Sequence, residues 1–554
     1  MMRRLGSLPV RRRVAWLGLG LIAFQWMATA SLDHGYNWDE WYHLEGMRRS
    51  VQALEMRPAG HIYNGAYFLP GYLVLGAHLL DELPQIVREM LHSPGWEFVP
   101  ERYPTLQAWR DEMIRLLSTE RYKQEVRYVF VLMTVPILLW VFLTVLRLFP
   151  YRYYEALGAA ALVGLSWEIN RRSRCIEVDA PMMQFVALQL FMMACAFTAR
   201  VRSSALWSVV GMGLAAGLVV ACKASGVYAV ALGLVACFAV PFYSGLRDRA
   251  LLVTALGGGL ALAIFMASPF TVIDPIRAVW QQFSTWAGYQ SIVDTHPFHV
   301  EAPWEHLGKV LLWLFGVLPS PHFAPAALLA AVAAVGAFVL ARFRPRFAAV
   351  AALYPVATLW TMTALILLQI RNYLQFFPFV AIAFGAGLVY LWRRLEPRPR
   401  LRQASVGLLL GIFAFNSVWL HRADRSVRTA TRDSILAEAR AYVRDAGHDF
   451  LLSRRAYEAL RPTLDELYVC GRDVEGTLHE PRVLMYYTDH HPFRWRAMSV
   501  GFVERTFAPM DANYDWYSVW KGRLEHHRLV LMSPRNAEAM GVSLRQLLRC
   551  RRRP

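Results

Sequence analysis

Runs of 17 to 22 mostly apolar residues recur between residues 13 and 421, and nothing else in the chain restricts its fold so tightly. A helix needs about 20 apolar residues to cross a bilayer. Lipid offers no water to open backbone groups, so each crossing must be a helix that closes its own hydrogen bonds. The runs predict eleven spans, at 13–31, 128–146, 153–169, 181–199, 205–221, 226–243, 250–267, 322–341, 347–368, 375–392 and 403–420. The expected fold is mainly α, a polytopic helical membrane domain over 1–421. Residues 422–554 lose the long runs and read as a small soluble α/β domain. A helical pattern at 433–446 and strand-like stretches at 449–452, 482–487 and 528–532 support that reading.

Charge placement orients the spans. The chain of 554 residues carries a net charge of +18, which could suggest nucleic acid. With the N-terminus in the cytoplasm, however, the inner segments hold nineteen arginines and three acids, which is 16 of the +18. That is the positive-inside pattern of a membrane protein, and it excludes a nucleic-acid footprint clustered on a soluble face. An odd number of spans then puts the tail outside the cytoplasm, and a plasma (inner) membrane is the simplest setting. Ala28-Thr29-Ala30 imitates a signal-peptide cleavage site, but the many following spans favour a retained first span. Cys175, Cys195, Cys222 and Cys237 sit in or beside spans, Cys470 and Cys550 lie in the tail, and no spacing matches a zinc site.

Two long outer loops are expected, at 32–127 and 268–321. The first holds an apolar stretch, YNGAYFLPGYLVLGAHLL at 63–80, short for a span and interrupted by Pro70 and Gly71. It reads as an interfacial or half-inserted helix. Counting it as a span would reverse every later loop and put most of the arginines outside.

With this topology, ionisable residues gather on the outer side. Asp39 and Glu40 follow span one; Glu177 and Asp179 follow span three; Lys223 follows span five. His296, His299, Glu301 and His306 lie after span seven, and Arg371 and Tyr373 after span nine. Such groups are expensive at membrane depth and mark polar cavities. Acids and cations at a lipid–water boundary suit a reaction between a charged lipid and a polar acceptor. A carboxylate can take a proton from the acceptor, and Lys, Arg and Tyr can hold a departing phosphate. Asp39 is the candidate base and Glu40 its orienting neighbour; if 38–56 is helical, His43 shares a face with Asp39 one turn on. Arg171, Arg172 and Arg174 lie outside, against the trend, and either pair with Glu168 and Glu177 or bind a lipid phosphate. Plain structural roles remain open for each: a snorkelling Lys223, a loop cation at Arg371, and histidines that hydrogen-bond rather than bind metal.

The motifs resemble those of the C-type glycosyltransferases that use a polyprenyl-phosphate sugar, a branch that includes protein O-mannosyltransferases and the lipid A aminoarabinose transferase. WDEWYHLEGMRRS at 38–50 is similar to the family's first-loop acidic motif, which implies a catalytic Asp39. CIEVDAPMMQF at 175–185 places the second acid at Asp179, and VVACKASG places the carrier-phosphate lysine at Lys223. HVEAPWEHL at 299–307 points to His299, and RNYLQFFPFVAIAFG at 371–385 to Arg371 and Tyr373. The likeness runs in the family's order over about residues 10–420. It departs in a longer first loop through 81–127, in the Cys-Ile-Glu before Asp179, and in a tail that matches nothing specific. The resemblance implies an inverting transfer from a polyprenyl-phosphate sugar to a lipid, glycan or protein acceptor. It names no required cofactor and leaves a divalent metal possible. A transporter or flippase for a lipid-linked sugar would share the phosphate grip, but needs access from both faces. A scaffold presenting the tail is the non-catalytic alternative.

Overall fold

The computed structural model describes residues 8–29, 38–54, 65–92, 103–117, 120–268, 280, 302–364 and 370–429, with four two-residue strands in the tail. It is mainly helical. Among the described residues seven helices are long and apolar enough to cross a membrane: Arg121–Leu148, Asp179–Phe197, Arg202–Cys222, Leu246–Ala267, Phe323–Phe343, Arg371–Arg394 and Pro399–Arg422. The other four expected spans fall on Leu8–Ala28, Tyr153–Gly164, Val227–Ala239 and Pro345–Thr363.

In chain order the elements that position the site begin with α1 (Leu8–Ala28), α2 (Trp38–Ala53), α3 (Gly65–His92), α4 (Pro104–Leu117), α5 (Glu120–Thr134) and α6 (Ile137–Leu148). Then come α7 (Tyr153–Gly164), α8 (Trp167–Ser173), α9 (Asp179–Phe197), α10 (Arg202–Cys222), α11 (Val227–Ala239) and α12 (Leu246–Ala267). The remainder are α13 (Pro303–Gly316), α14 (Phe323–Phe343), α15 (Pro345–Thr363), a 3-10 segment (Ile370–Phe376), α16 (Phe377–Arg394) and α17 (Pro399–Thr429).

Glycine lets helices approach where lipid supplies no hydrophobic drive. A Cβ on Gly213 would stand 2.1 Å from the Leu256 carbonyl oxygen, and one on Gly217 would stand 2.6 Å from that of Leu260. Matching rises of four residues make α10 and α12 run parallel, as the expected topology requires of spans five and seven.

The helix ends sort into two groups. At one end Arg344 bonds the carbonyl of Leu148, Arg147 bonds that of Thr198, and Arg202 pairs with Asp248. At the other end Trp26 Nε1 donates to Ser173 Oγ (2.9 Å), Ser166 Oγ donates to the Leu318 carbonyl (2.6 Å), and Lys223 meets Asp179. Among the described residues the arginines of these contacts thus share one end, and Asp179 and Lys223 lie at the other. The first loop stays with the second group: the Gly65 amide donates to Ser268 Oγ (3.2 Å), and His43 on α2 joins Tyr122 at the start of α5.

Three expectations need correction in detail. The helix of the first loop is not interrupted: α3 runs through Pro70 and Pro84 over 28 residues. Span three is not continuous, because Ser166 Oγ accepts from the Ile169 amide (3.4 Å) and caps a new helix, α8. The boundary at 421/422 falls inside α17, which continues to Thr429. In the tail, Phe450 pairs with Leu531 and Leu451 with Val530, joining two of the strand-like stretches. The expected helix at 433–446, the stretch at 482–487, Cys470 and Cys550 lie outside the described residues.

Candidate active site

Local rules already put opposite charges at facing helix ends. Asp179 opens α9, where an acid favours the positive end of the helix dipole, and Pro181 sits in the first turn, where its missing N–H is not needed. Lys223 caps the C-terminus of α10, where a cation favours the negative end, and its amide donates to the Val219 carbonyl (3.2 Å). The two meet: Lys223 Nζ lies 3.3 Å from Asp179 Oδ1 and donates to Asn372 Oδ1 at 2.6 Å.

The 3-10 segment delivers the rest. Arg371 Nε lies 3.7 Å from Asp179 Oδ2, and its Nη1 lies 3.8 Å from Glu177 Oε2. Arg172 on α8 reaches the same Glu177 oxygen (3.4 Å) and also Glu168 (3.3 Å), four residues before it. Burial would drive off the Arg172 charge, but Glu177 and Glu168 more than offset it, so the guanidinium is held cationic. Arg174, two residues on from Arg172, is 3 % exposed. Glu177 is fully buried, Glu168 and Asp179 nearly so. Among the described residues the ion pairs therefore set Arg172, Lys223 and Arg371 against Glu168, Glu177 and Asp179. These cations lie at low dielectric, where a hydrogen bond to an anionic group is strengthened.

Hydrogen bonds lock the 3-10 segment in place. Gln375 Nε2 donates to the Asn372 carbonyl (2.8 Å), and Tyr354 donates to Gln375 Oε1. Tyr373 is fully buried, with its hydroxyl 2.7 Å from His306 Nε2. His306 belongs to α13, and its Nδ1 has no hydrogen-bond partner. Burial and then nearby Lys309 push its pKa down to about 4, with Glu305 opposing, so the ring is neutral at physiological pH.

Asp179, Lys223, Arg371 and Arg174 are thus brought to one end of the bundle, and Tyr373 sits next to them in sequence. Asp39 and Glu40 fall in the first turn of α2, but their side chains and the whole of His299 lie outside the described residues. His43 is fully buried with its ring nitrogens 3.1 Å from the Tyr67 carbonyl and 3.1 Å from Tyr122 Oη, stacked on Phe68. Those contacts tie α2 to α3 and α5. Sequence reasoning missed Asn372, although RNY was singled out, and gave His306 no specific role. It left Glu177 without one; the structure puts Glu177 between two guanidinium groups. Lys223 is no snorkelling helix end, and Arg172 pairs with both candidate acids. Among the described residues no group of three or more His, Cys, Asp or Glu side chains is placed to hold a metal.

No protein-family model matches the chain, and no curated protein matches it. Solved structures with a similar path include the Archaeoglobus fulgidus oligosaccharyltransferase complexed with zinc and sulfate, at 14% identity and a TM-score of 0.41, covering 77% of this chain and 56% of that one. A second is the archaeal oligosaccharyltransferase AglB from the same organism with an inhibitory peptide and a dolichol-phosphate, at 13% identity and a TM-score of 0.43, covering 78% and 59%. A third is ArnT from Cupriavidus metallidurans bound to undecaprenyl phosphate, at 16% identity and a TM-score of 0.42, covering 77% and 72%. This chain thus spans little more than half the length of the oligosaccharyltransferases. The overlap is loose, and the chemistry of this chain is read from its own side chains.

Proposed function

We propose that this chain is an inverting glycosyltransferase that moves a sugar from a polyprenyl phosphate to an acceptor at the outer face of the plasma membrane. The observation that carries the reading is the buried junction of Lys223, Arg371 and Asn372 with Asp179 and Glu177. Three separate helix ends build it on the side opposite the arginine-rich segments. A lysine and an arginine meeting at the membrane boundary suit a lipid phosphate.

The carrier phosphate would sit against Lys223 and Arg371, with Arg174 and Arg172 behind them. The Asp39 carboxylate would take the proton of the acceptor hydroxyl as that oxygen attacks the anomeric carbon. The bond from the anomeric carbon to the phosphate oxygen breaks, and its electron pair leaves on the polyprenyl phosphate, where the cations stabilise it. One displacement inverts the anomeric centre. No second carboxylate is needed as acid, unlike in glycoside hydrolysis. Glu40 would orient Asp39 or the acceptor, His299 and Tyr373 would bound the phosphate side, and His43 would hold α2 in position. The catalytic unit is the eleven-span membrane region through the end of α17, and the residues after it form an outer α/β domain.

Purified protein incubated with a panel of polyprenyl-phosphate sugars tests this. One donor should be consumed, with release of polyprenyl phosphate and formation of a new glycosidic bond. Donor that crosses vesicles without forming any new bond would instead mark a flippase.

A further inference from the structure

A cavity of about 470 Å³ opens at the arginine-rich end of the bundle, the end opposite the Lys223–Asp179 pair. It lies among the C-terminal ends of α6, α14 and α16. Its walls divide by chemistry. Phe149, Val339 and Val389 give an apolar floor, while Arg344, Arg393 and Arg394 supply a cationic rim. None of its lining residues is acidic.

The three arginines differ in what they already do. Arg344 donates from Nε (2.9 Å) and Nη2 (2.6 Å) to the Leu148 carbonyl, so it caps α6 and its fork is fixed. Arg394 donates from Nε to Tyr390 Oη (3.1 Å), and its guanidinium lies 5.6 Å from that ring's centroid. Tyr390 also lines the cavity, so this contact aims the Arg394 charge at the rim. Arg393 is exposed next to it. Phe343, which also lines the cavity, is 52 % exposed and adds to its apolar wall.

We infer that this cavity binds the headgroup of an anionic phospholipid from the leaflet at the arginine-rich end. The phosphate sits on the rim formed by Arg393, Arg394 and Arg344. The glycerol backbone and upper acyl carbons lie on the Phe149–Val339–Val389 floor. Basic pockets between spanning helices favour such lipids by charge, and a zwitterionic headgroup brings no net charge to match three cations. A free phosphate meets the same rim but leaves the apolar floor uncovered, which favours the lipid. Occupancy would tie α6, α14 and α16 together at the end opposite the candidate site.

The full-length protein, reconstituted in nanodiscs of equal phosphatidylcholine and phosphatidylglycerol and released into neutral detergent, gives the test. Native mass spectrometry reads the lipids that stay bound. Phosphatidylglycerol should exceed phosphatidylcholine about tenfold, and Arg393→Ala with Arg394→Ala should erase that preference. Both arginines are exposed and Arg344 stays intact, so the fold is not at risk; an unchanged melting temperature checks this. Arg398→Ala with Arg400→Ala removes two exposed arginines outside the cavity and should leave the preference in place. Equal retention of the two lipids overturns the inference. So does an equal loss in both double variants, which would mean a general surface field. Stripping of the adduct by excess inorganic phosphate would assign the rim to free phosphate and overturn the lipid assignment.

Discussion

Lys223 Nζ stands 3.3 Å from Asp179 Oδ1, joining the end of α10 to the start of α9 across 44 residues of sequence. Each charge is favoured by its own helix dipole, and each is buried enough to need the other. Removing one partner of a buried pair costs up to about 3 kcal/mol, and Arg371, 3.7 Å from Asp179, reduces that cost here by compensating the remaining carboxylate. Lys223→Ala should therefore lower the melting temperature by several degrees, and Lys223→Met with Asp179→Asn should recover much of it. In turnover assays Lys223→Ala should raise the KM for the lipid-linked donor far more than that for the acceptor. The reverse pattern would remove Lys223 from the phosphate grip.

Asp39 lies in the first turn of α2. As the proposed base, it should be replaceable in shape but not in chemistry. Asp39→Asn should reduce kcat by at least about a hundredfold while the donor still binds, as measured by competition with polyprenyl phosphate. Full transfer by that variant would reject the mechanism.

Acid should weaken the fold through His306. Its folded-state pKa, about 4, is below the ordinary 6.5, so the unfolded chain takes up a proton first as pH falls. The stability that neutral His306 contributes is complete above pH 6.5 and is lost as pH falls towards 4. The loss should reach roughly 2 kcal/mol. Melting curves between these limits should show a shallower decline for His306→Gln. An identical slope would mean the histidine does not titrate in this window.

The seam that holds α2 can be closed by one methyl group. A Cβ on Gly71 would stand 2.6 Å from Tyr122 Oη and 2.7 Å from His43 Nε2. Gly71→Ala should destabilise by about 1–3 kcal/mol through overpacking, and should lower the amount of folded protein recovered in detergent. If His43 acts only as a strut, His43→Asn should lose activity in proportion to folded protein, with KM values unchanged. A selective rise in donor KM would put His43 in the site.

The apolar runs by themselves determined that this chain is a helical membrane protein, because a bilayer leaves the backbone no alternative. Arginine placement determined which residues share an end: odd and even helix ends alternate, so Asp179, Lys223 and Arg371 had to gather wherever the helices packed. The spacing of Glu168 and Arg172 made their pairing visible too, since four residues make one helical turn. What needed the tertiary structure were contacts set by helix rotation and by breaks in helices. The step from α7 to α8 depends on Ser166 reaching Leu318, and Tyr373 meets His306 rather than solvent only because α13 packs beside the 3-10 segment. Asn372 joins Lys223 for the same reason. An apolar run fixes that a helix crosses the membrane, but it carries almost no record of its rotation, because in lipid every face is equally comfortable and only the packing of neighbours chooses one.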